Sequence, residues 1–214
     1  MLKVFTIGHS TRTWKVFLEL LRVHGIKRVI DVRSIPRSRH NPQFNRETLS
    51  AKLRSAKIGY VHTRKLGGLR HARRDSPNKG WHNASFRGFA DYMQTPDFEA
   101  GLGRLIRLAK QKKSALMCAE AVPWRCHRSL IADALMVRGI HVADIISGKR
   151  SQAHVLTSIA RVQRIAYLRY FRKITGVPFA TNRANFTASQ FVILTHPCDS
   201  ACPIRPGSGV PCIP

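Results

Sequence analysis

Between Cys118 and Arg128 the chain runs Cys-Ala-Glu-Ala-Val-Pro-Trp-Arg-Cys-His-Arg, which gathers two thiols, a carboxylate, an imidazole and two guanidinium groups into eleven residues. Thiols attack electrophiles and bind soft metals, an imidazole moves protons near neutral pH, and guanidinium groups clamp anions. The apolar run Ala115-Leu-Met117 leads in, and Ser129–Met136 leads out with a helix-like pattern. A segment between a strand end and a helix start is where open α/β sheets place their sites. Packing alone does not account for the mixture, because charged groups are costly to bury unpaired.

Cys126 is expected near a helix N-terminus, flanked by Arg125, His127 and Arg128. That setting lowers a thiol's pKa and suits a nucleophile, and the same orphan N–H groups suit a phosphate. Cys118 closes the preceding strand. A cysteine by itself there is usually a small apolar filler, and Cys118 gains chemical interest from Glu120 and from the facing Cys126-His127-Arg128 turn. Glu120 reads as a general acid or base, or as a salt-bridge partner that orients Arg128. Trp124 reads either as a stacking platform or as core. Cys118, Cys126 and His127 also resemble a partial zinc set that a residue such as His9 would complete, although CxxC-type spacing is missing.

Positioning these groups requires an alternation of strands and helices. Lys3–Ile7 reads as a first strand, broken by Gly8-His9-Ser10; Trp14–His24 has apolar residues at helical spacing and stops at Gly25. Arg28–Val32 is a second strand, Arg46–Ala56 a helix and Ile58–His62 a third strand. Leu66–Ala84 is a long loop rich in Gly, Arg, His and Asn, followed by helices over Phe86–Met93 and Pro96–Lys110. Ser114–Cys118 is a fourth strand, Cys126–Arg138 a helix and His141–Ile146 a fifth strand. The pattern predicts a Rossmann-like α/β fold, a mostly parallel sheet with helices on both faces. His9 and Ser10, Asp31 and Arg33, and Cys118 and Glu120 then follow strand C-terminal ends, which share one edge of such a sheet. In the blander reading Asp31 only accepts loop N–H bonds and Ser10 only caps the next helix.

In the long loop, Gly67-Gly68 permits close backbone approach to a ligand, and Arg70, Arg73 and Arg74 can contact phosphates. Tyr60, His62, Trp81 and Phe86 interleave aromatic rings with these charges, a combination that suits unpaired bases.

Lys and Arg number 37 against 11 Asp and Glu in 214 residues, a formal net charge of +26. Such a balance attracts polyanions and makes nucleic acid or a phosphorylated small molecule the expected partner. The apolar fraction of 43% sustains a core, yet no apolar run is long enough to span a bilayer and the N-terminus does not read as a secretory signal. A cytoplasmic location is therefore expected. Five cysteines, an odd number, do not read as a disulfide framework; Cys198, Cys202 and Cys212 lie in a Pro/Gly-rich end and carry no strong metal spacing. No dinucleotide fingerprint, phosphate-cradling GxxxxGK[ST] loop or HExxH segment occurs, so no cofactor is expected.

Taken together, Thr6-Ile-Gly-His-Ser10, Asp31-Val-Arg33 with Pro36-Arg-Ser38 and Phe44-Asn45, Leu66-Gly-Gly68, Phe89-Ala-Asp-Tyr-Met93, and Cys118-Ala-Glu120 with Cys126-His-Arg128 resemble the bacterial and archaeal family called Domain of Unknown Function 488. The resemblance runs in order from about residue 3 to 162 and implies a compact α/β domain with a site at these motifs, without specifying a reaction. Residues 1–165 are accordingly expected to form one domain. Residues 166–214, whose composition loses periodicity, are expected to be an atypical, poorly ordered extension, natural or produced by a reading-frame change.

The functional expectation is an enzyme acting on a nucleotide or nucleic acid. Cys118, Glu120, Cys126 and His127 would be catalytic, and His9, Ser10, Asp31, Arg33, Gly67, Gly68, Arg70, Arg125 and Arg128 would bind the anion. The alternatives are a noncatalytic basic nucleic-acid-binding domain and a small metal-dependent regulator using Cys118, Cys126 and a histidine.

Overall fold

The first strand, β1 (Lys3–Gly8), is buried along five of its six residues, as expected of a strand covered on both faces, although Lys3–Ile7 alternates in sequence. In the computed structural model it lies inside a six-stranded sheet of order β3-β2-β4-β1-β5-β6. The other members are β2 (Arg28–Asp31), β3 (Gly59–His62), β4 (Ser114–Cys118), β5 (His141–Ser147) and β6 (Arg150–Ala153). β1 to β5 are parallel, and β6 closes the edge antiparallel to β5. The structure describes residues 1–148, 150–163 and 167–170, all within the unit Met1–Thr175.

Helices cover both faces. Phe17, Leu20 and Leu21 of α1 (Trp14–Val23) and Leu49 and Leu53 of α2 (Arg46–Ser55) share one core with Phe5, Ile7, Val29, Met117 and Ile145. On the other face α3 (Ala84–Tyr92), α4 (Pro96–Gln111) and α5 (Arg128–Met136) pack Phe89, Leu102, Leu105, Leu130 and Leu135 against Val4, Ile30, Leu116 and Val142. The mostly parallel α/β sheet anticipated from the strand and helix alternation is thus present. Helix ends follow local chemistry: Thr95 caps α4, Pro96 opens it, Asp97 and Glu99 sit in its first turn and Lys110 in its last.

Two local expectations change. Thr13, not Ser10, caps α1, its side chain accepting from the Val16 amide at 3.4 Å. Ser10 instead takes a left-handed backbone, φ 48°, and turns the chain out of β1. The helix expected from Cys126 starts at Arg128, because the 3-10 turn Pro123–Arg125 leaves Cys126 extended and His127 takes the cap position. Two further strands, β7 (Ala160–Gln163) and β8 (Tyr167–Tyr170), form a separate antiparallel pair. β8 lies past the boundary at residue 165 read from the sequence, and its Tyr170 is fully buried. Cys198, Cys202, Cys212 and the expected extension beyond Tyr170 lie outside the described residues. Among the described residues, no helix is long and apolar enough to cross a membrane.

The connections fix where a site can form. From β1 the chain passes through α1 to β2, whereas from the neighbouring β4 it passes through α5 to β5, in the opposite direction and over the opposite face. Adjacent strands whose connections diverge leave a crevice at their C-terminal ends. Registers Gly8↔Cys118 and Asp31↔Met117 bring His9, Cys118 and Asp31 to that crevice together.

Candidate functional site

Cys118, the last residue of β4, faces Cys126 and His127 from the mouth of α5. One donor atom from each of the three lies within 4.8 Å of the others, and both thiols are free and buried. His127 Nε2 is 3.1 Å from the Val32 carbonyl and 3.1 Å from the Leu66 carbonyl. Carbonyls only accept, so Nε2 carries a proton, and Nδ1 is the nitrogen that faces the sulfurs. Nδ1 is 3.9 Å from Cys118 Sγ and 3.7 Å from Cys126 Sγ. Phe89 meets the ring edge-on at 5.0 Å. A hydrogen bond from the Cys126 thiol holds Cys118 below the ordinary thiol pKa despite burial, and the same bond, with burial, pushes Cys126 up.

Beside them lies a second buried set. Asp31 accepts from Arg33 Nε at 2.9 Å and Nη2 at 2.6 Å, from the Arg33 backbone amide at 3.0 Å and from the Tyr60 hydroxyl at 2.8 Å. Arg33 also donates to the Phe44 carbonyl and meets His9 Nε2 at 3.2 Å. His9 Nδ1 lies 2.9 Å from the Ser10 carbonyl and the ring stacks on Phe44 at 4.4 Å. A carbonyl needs a donor and a guanidinium needs an acceptor, so His9 is neutral with its proton on Nδ1. Burial lowers its pKa to about 4. Burial opposes the charge on Arg33, but the hydrogen bonds and charge of Asp31 outweigh it and hold the guanidinium ionised.

Arg128 is fully buried, and its guanidinium donates to the Glu120 carbonyl at 2.5 Å, the Ala121 carbonyl at 2.9 Å and Thr6 Oγ1 at 3.4 Å. The orienting contact expected of the Glu120 carboxylate is thus made by its backbone, while the residue itself is exposed at the rim. Gly8 makes this loop path feasible, since a Cβ there would lie 1.7 Å from the Glu120 carbonyl oxygen. Arg12, partly buried, donates to the Gly8 and Ile146 carbonyls. Trp124 is 62% exposed and Arg125 beside it is also exposed, which removes the core reading of Trp124.

The long loop is tied down more firmly than its composition suggests. Buried Asp91 accepts from Ser76 Oγ at 2.6 Å, Asn78 Nδ2 at 2.8 Å and the Arg73 amide at 2.9 Å. At its start Gly67 and Gly68 are needed for space: a Cβ on Gly67 would lie 2.5 Å from Ser34 Oγ, and one on Gly68 would lie 2.4 Å from His127 Nδ1. Arg70 donates to the Gly67 carbonyl and stacks on Tyr92 at 3.6 Å, on the loop's flank. The structure therefore brings together Cys118, Cys126, His127 and Gly68, with His9, Asp31 and Arg33 packed beside them. Glu120, Trp124 and Arg125 form the exposed rim.

The family model for Domain of unknown function DUF488 matches residues 13–135, more than half of the chain. The chain belongs to the DUF488 family. The matched segment holds Asp31, Arg33, Gly67, Gly68 and the whole of Cys118–Arg128, and starts just after His9 and Ser10. No curated protein and no solved structure matches the chain.

Behind the DUF488 site lies a set of residues that sequence reasoning missed. His154 sits between two buried carboxylates, with Nδ1 2.8 Å from Asp144 Oδ2 and Nε2 3.1 Å from Asp133 Oδ1. Asp133 also accepts from the Tyr170 hydroxyl at 3.1 Å, and Asp144 from Thr6 Oγ1 at 2.5 Å. Thr6 in turn meets Arg128, so the network reaches the loop that follows Cys118. Burial acts to lower the His154 pKa, but the hydrogen bonds and charges of the two aspartates raise it to about 9. Acidic residues are scarce in this chain, and two of them at buried helix and strand positions were the available signal.

Proposed function

We propose that this DUF488 chain is an enzyme acting on a nucleotide or nucleic-acid substrate, with Cys118 as its nucleophile. The observation that carries the reading is the convergence of two free thiols and an oriented imidazole at the crevice where the β1 and β4 connections diverge. Cys118 Sγ attacks, the Cys126 thiol supports it by hydrogen bonding, and His127 Nδ1 is the base nearest both sulfurs. Glu120, exposed two residues beyond Cys118, would exchange a proton with the leaving group. Trp124 offers a face on which a base stacks, and exposed Arg125, Arg37 and Arg39 on the adjoining loops meet phosphates. Arg33 and Arg128, fully engaged beneath, hold the loops and add positive potential rather than touching the ligand.

A noncatalytic nucleic-acid-binding domain is the competing reading, favoured by the net charge of +26 and the exposed tryptophan. Incubation with short single-stranded RNA, single-stranded DNA and mononucleotides, followed by anisotropy for binding and mass spectrometry for conversion, separates the two. We expect conversion of one class, abolished in Cys118→Ala and cut at least about 100-fold in His127→Asn, with binding retained in both. Binding without conversion by the wild type assigns the noncatalytic reading, and conversion that survives Cys118→Ala overturns the nucleophile.

A further inference from the structure

A nucleophile needs one sulfur and one base, and this cluster holds more order than that. His127 is anchored through Nε2 to two carbonyls at 3.1 Å, which locks both its tautomer and its ring plane. Donation from the far nitrogen to a carbonyl is the outer contact that orients metal-bound histidines. The near nitrogen then faces two sulfurs at 3.7 and 3.9 Å. For tetrahedral zinc, with Zn–S of about 2.3 Å and Zn–N of about 2.0–2.1 Å, the S···N edge of the tetrahedron is about 3.6 Å. Both observed separations lie close to that edge, and the three donors lie within 4.8 Å of one another.

Space and charge agree. Gly68 leaves room beside Nδ1 that any side chain would fill. A divalent cation with two thiolates and a neutral imidazole sums to zero, the state a buried site tolerates. Two sulfurs and one nitrogen select zinc-like cations over magnesium or calcium, which take oxygen ligands. His9, the fourth ligand considered from sequence, is held by Arg33 and Ser10, so it is not free to join.

We propose that Cys118 Sγ, Cys126 Sγ and His127 Nδ1 form a three-ligand site for a zinc-type divalent cation, its fourth position left for water or a substrate atom. On uptake both sulfurs bind as thiolates, and every thiol proton present leaves to solvent as its metal–sulfur bond forms. The site stands on its own geometry. One consequence rests on the nucleophile reading above: a Cys118 thiolate that shares its charge with a cation is a weaker nucleophile, so occupancy lowers thiol reactivity.

The test is titration of the full-length chain, purified with a non-thiol reductant and no chelator, with Co2+. We expect one Co2+ per chain, with the thiolate charge-transfer band and the visible bands of tetrahedral cobalt, displaced by Zn2+ and accompanied by slower Cys118 alkylation. The bands should vanish in Cys118→Ser and Cys126→Ser, and also in Gly68→Ala, which keeps every thiol. They should persist in the triple variant Cys198→Ser, Cys202→Ser, Cys212→Ser, with circular dichroism confirming that each variant folds. Absence of tetrahedral bands in the wild type, their persistence in Gly68→Ala and Cys126→Ser, or their loss in the triple variant overturns the site. Cys118-dependent conversion without cobalt uptake rejects the cation site and leaves the enzyme standing. Cobalt uptake without any conversion does the reverse.

Discussion

Asp31 and Arg33 form a bidentate ion pair buried at 0% and 5% side-chain exposure. Removing one partner of such a pair strands a buried charge, which costs more than the pair itself contributes. Asp31→Asn should therefore destabilise the fold by about 3–5 kcal/mol, read from the urea midpoint. The double variant Asp31→Asn, Arg33→Met should recover part of that loss; strict additivity of the two single losses would show that the pair is not coupled. The sequence made Asp31 and Arg33 visible as residues at a strand end, but not as partners of each other. Arg128 shows the same limit more sharply. Beside Cys126 it reads as an anion clamp, whereas its guanidinium is turned inward to two loop carbonyls by Gly8, which leaves the loop room to come close.

At the scale of elements, the helices and the first five strands were legible because burial period and capping chemistry are local. α4 illustrates this with Thr95, Pro96, two early acids and a late lysine. Its interior Gly103 has no packing reason to be glycine, since an added Cβ would meet only the tip of Arg107 at 3.6 Å. Gly103→Ala should stabilise by about 0.5–1 kcal/mol through helix propensity, seen as a raised Tm; a loss would mean that the helix surface there is more crowded than described. The network joining β1, α5, β5 and β8 through His154 was not legible, because Thr6, Asp133, Asp144 and Tyr170 are scattered through the chain. His154 has a folded pKa of about 9 against 6.5 unfolded, so its stabilisation is fully present below pH 6.5 and is lost as pH rises through about 9. His154→Gln should lower the denaturation midpoint most at pH 6 and below, with the gap to wild type closing above about pH 9. A gap independent of pH would remove the imidazolium from the account.

For the molecule as a whole, His9 works in the other direction. Its folded pKa of about 4 lies below 6.5, so the unfolded chain takes up protons first and stability falls as pH drops from 6.5 toward 4. With His154 failing on the alkaline side, the two histidines together place maximal stability near pH 6.5, checked by denaturation across the range. The net charge of +26 should make binding of single-stranded RNA fall steeply with salt. Arg125→Ala or Arg37→Ala should reduce the slope of log affinity against log salt by about 0.7 each, while Lys110→Ala, in the last turn of α4 and away from the crevice, should leave it unchanged. Equal effects from all three would mean that the charge acts without a defined surface.

Composition, periodicity and the motif set were enough to determine a basic, mostly parallel α/β protein of the DUF488 family with clustered polar residues at its strand ends. Those properties are written in local spacing, which the chain carries before it folds. What only the tertiary structure decided is the direction in which each polar side chain points. Nearby charges in sequence, Glu120 and Arg128, meet through a backbone carbonyl, while His127 is locked by carbonyls 95 and 61 residues away. Direction follows from strand register and from the space that Gly8 and Gly68 leave open, and both are set by packing between distant segments rather than by neighbours in the chain.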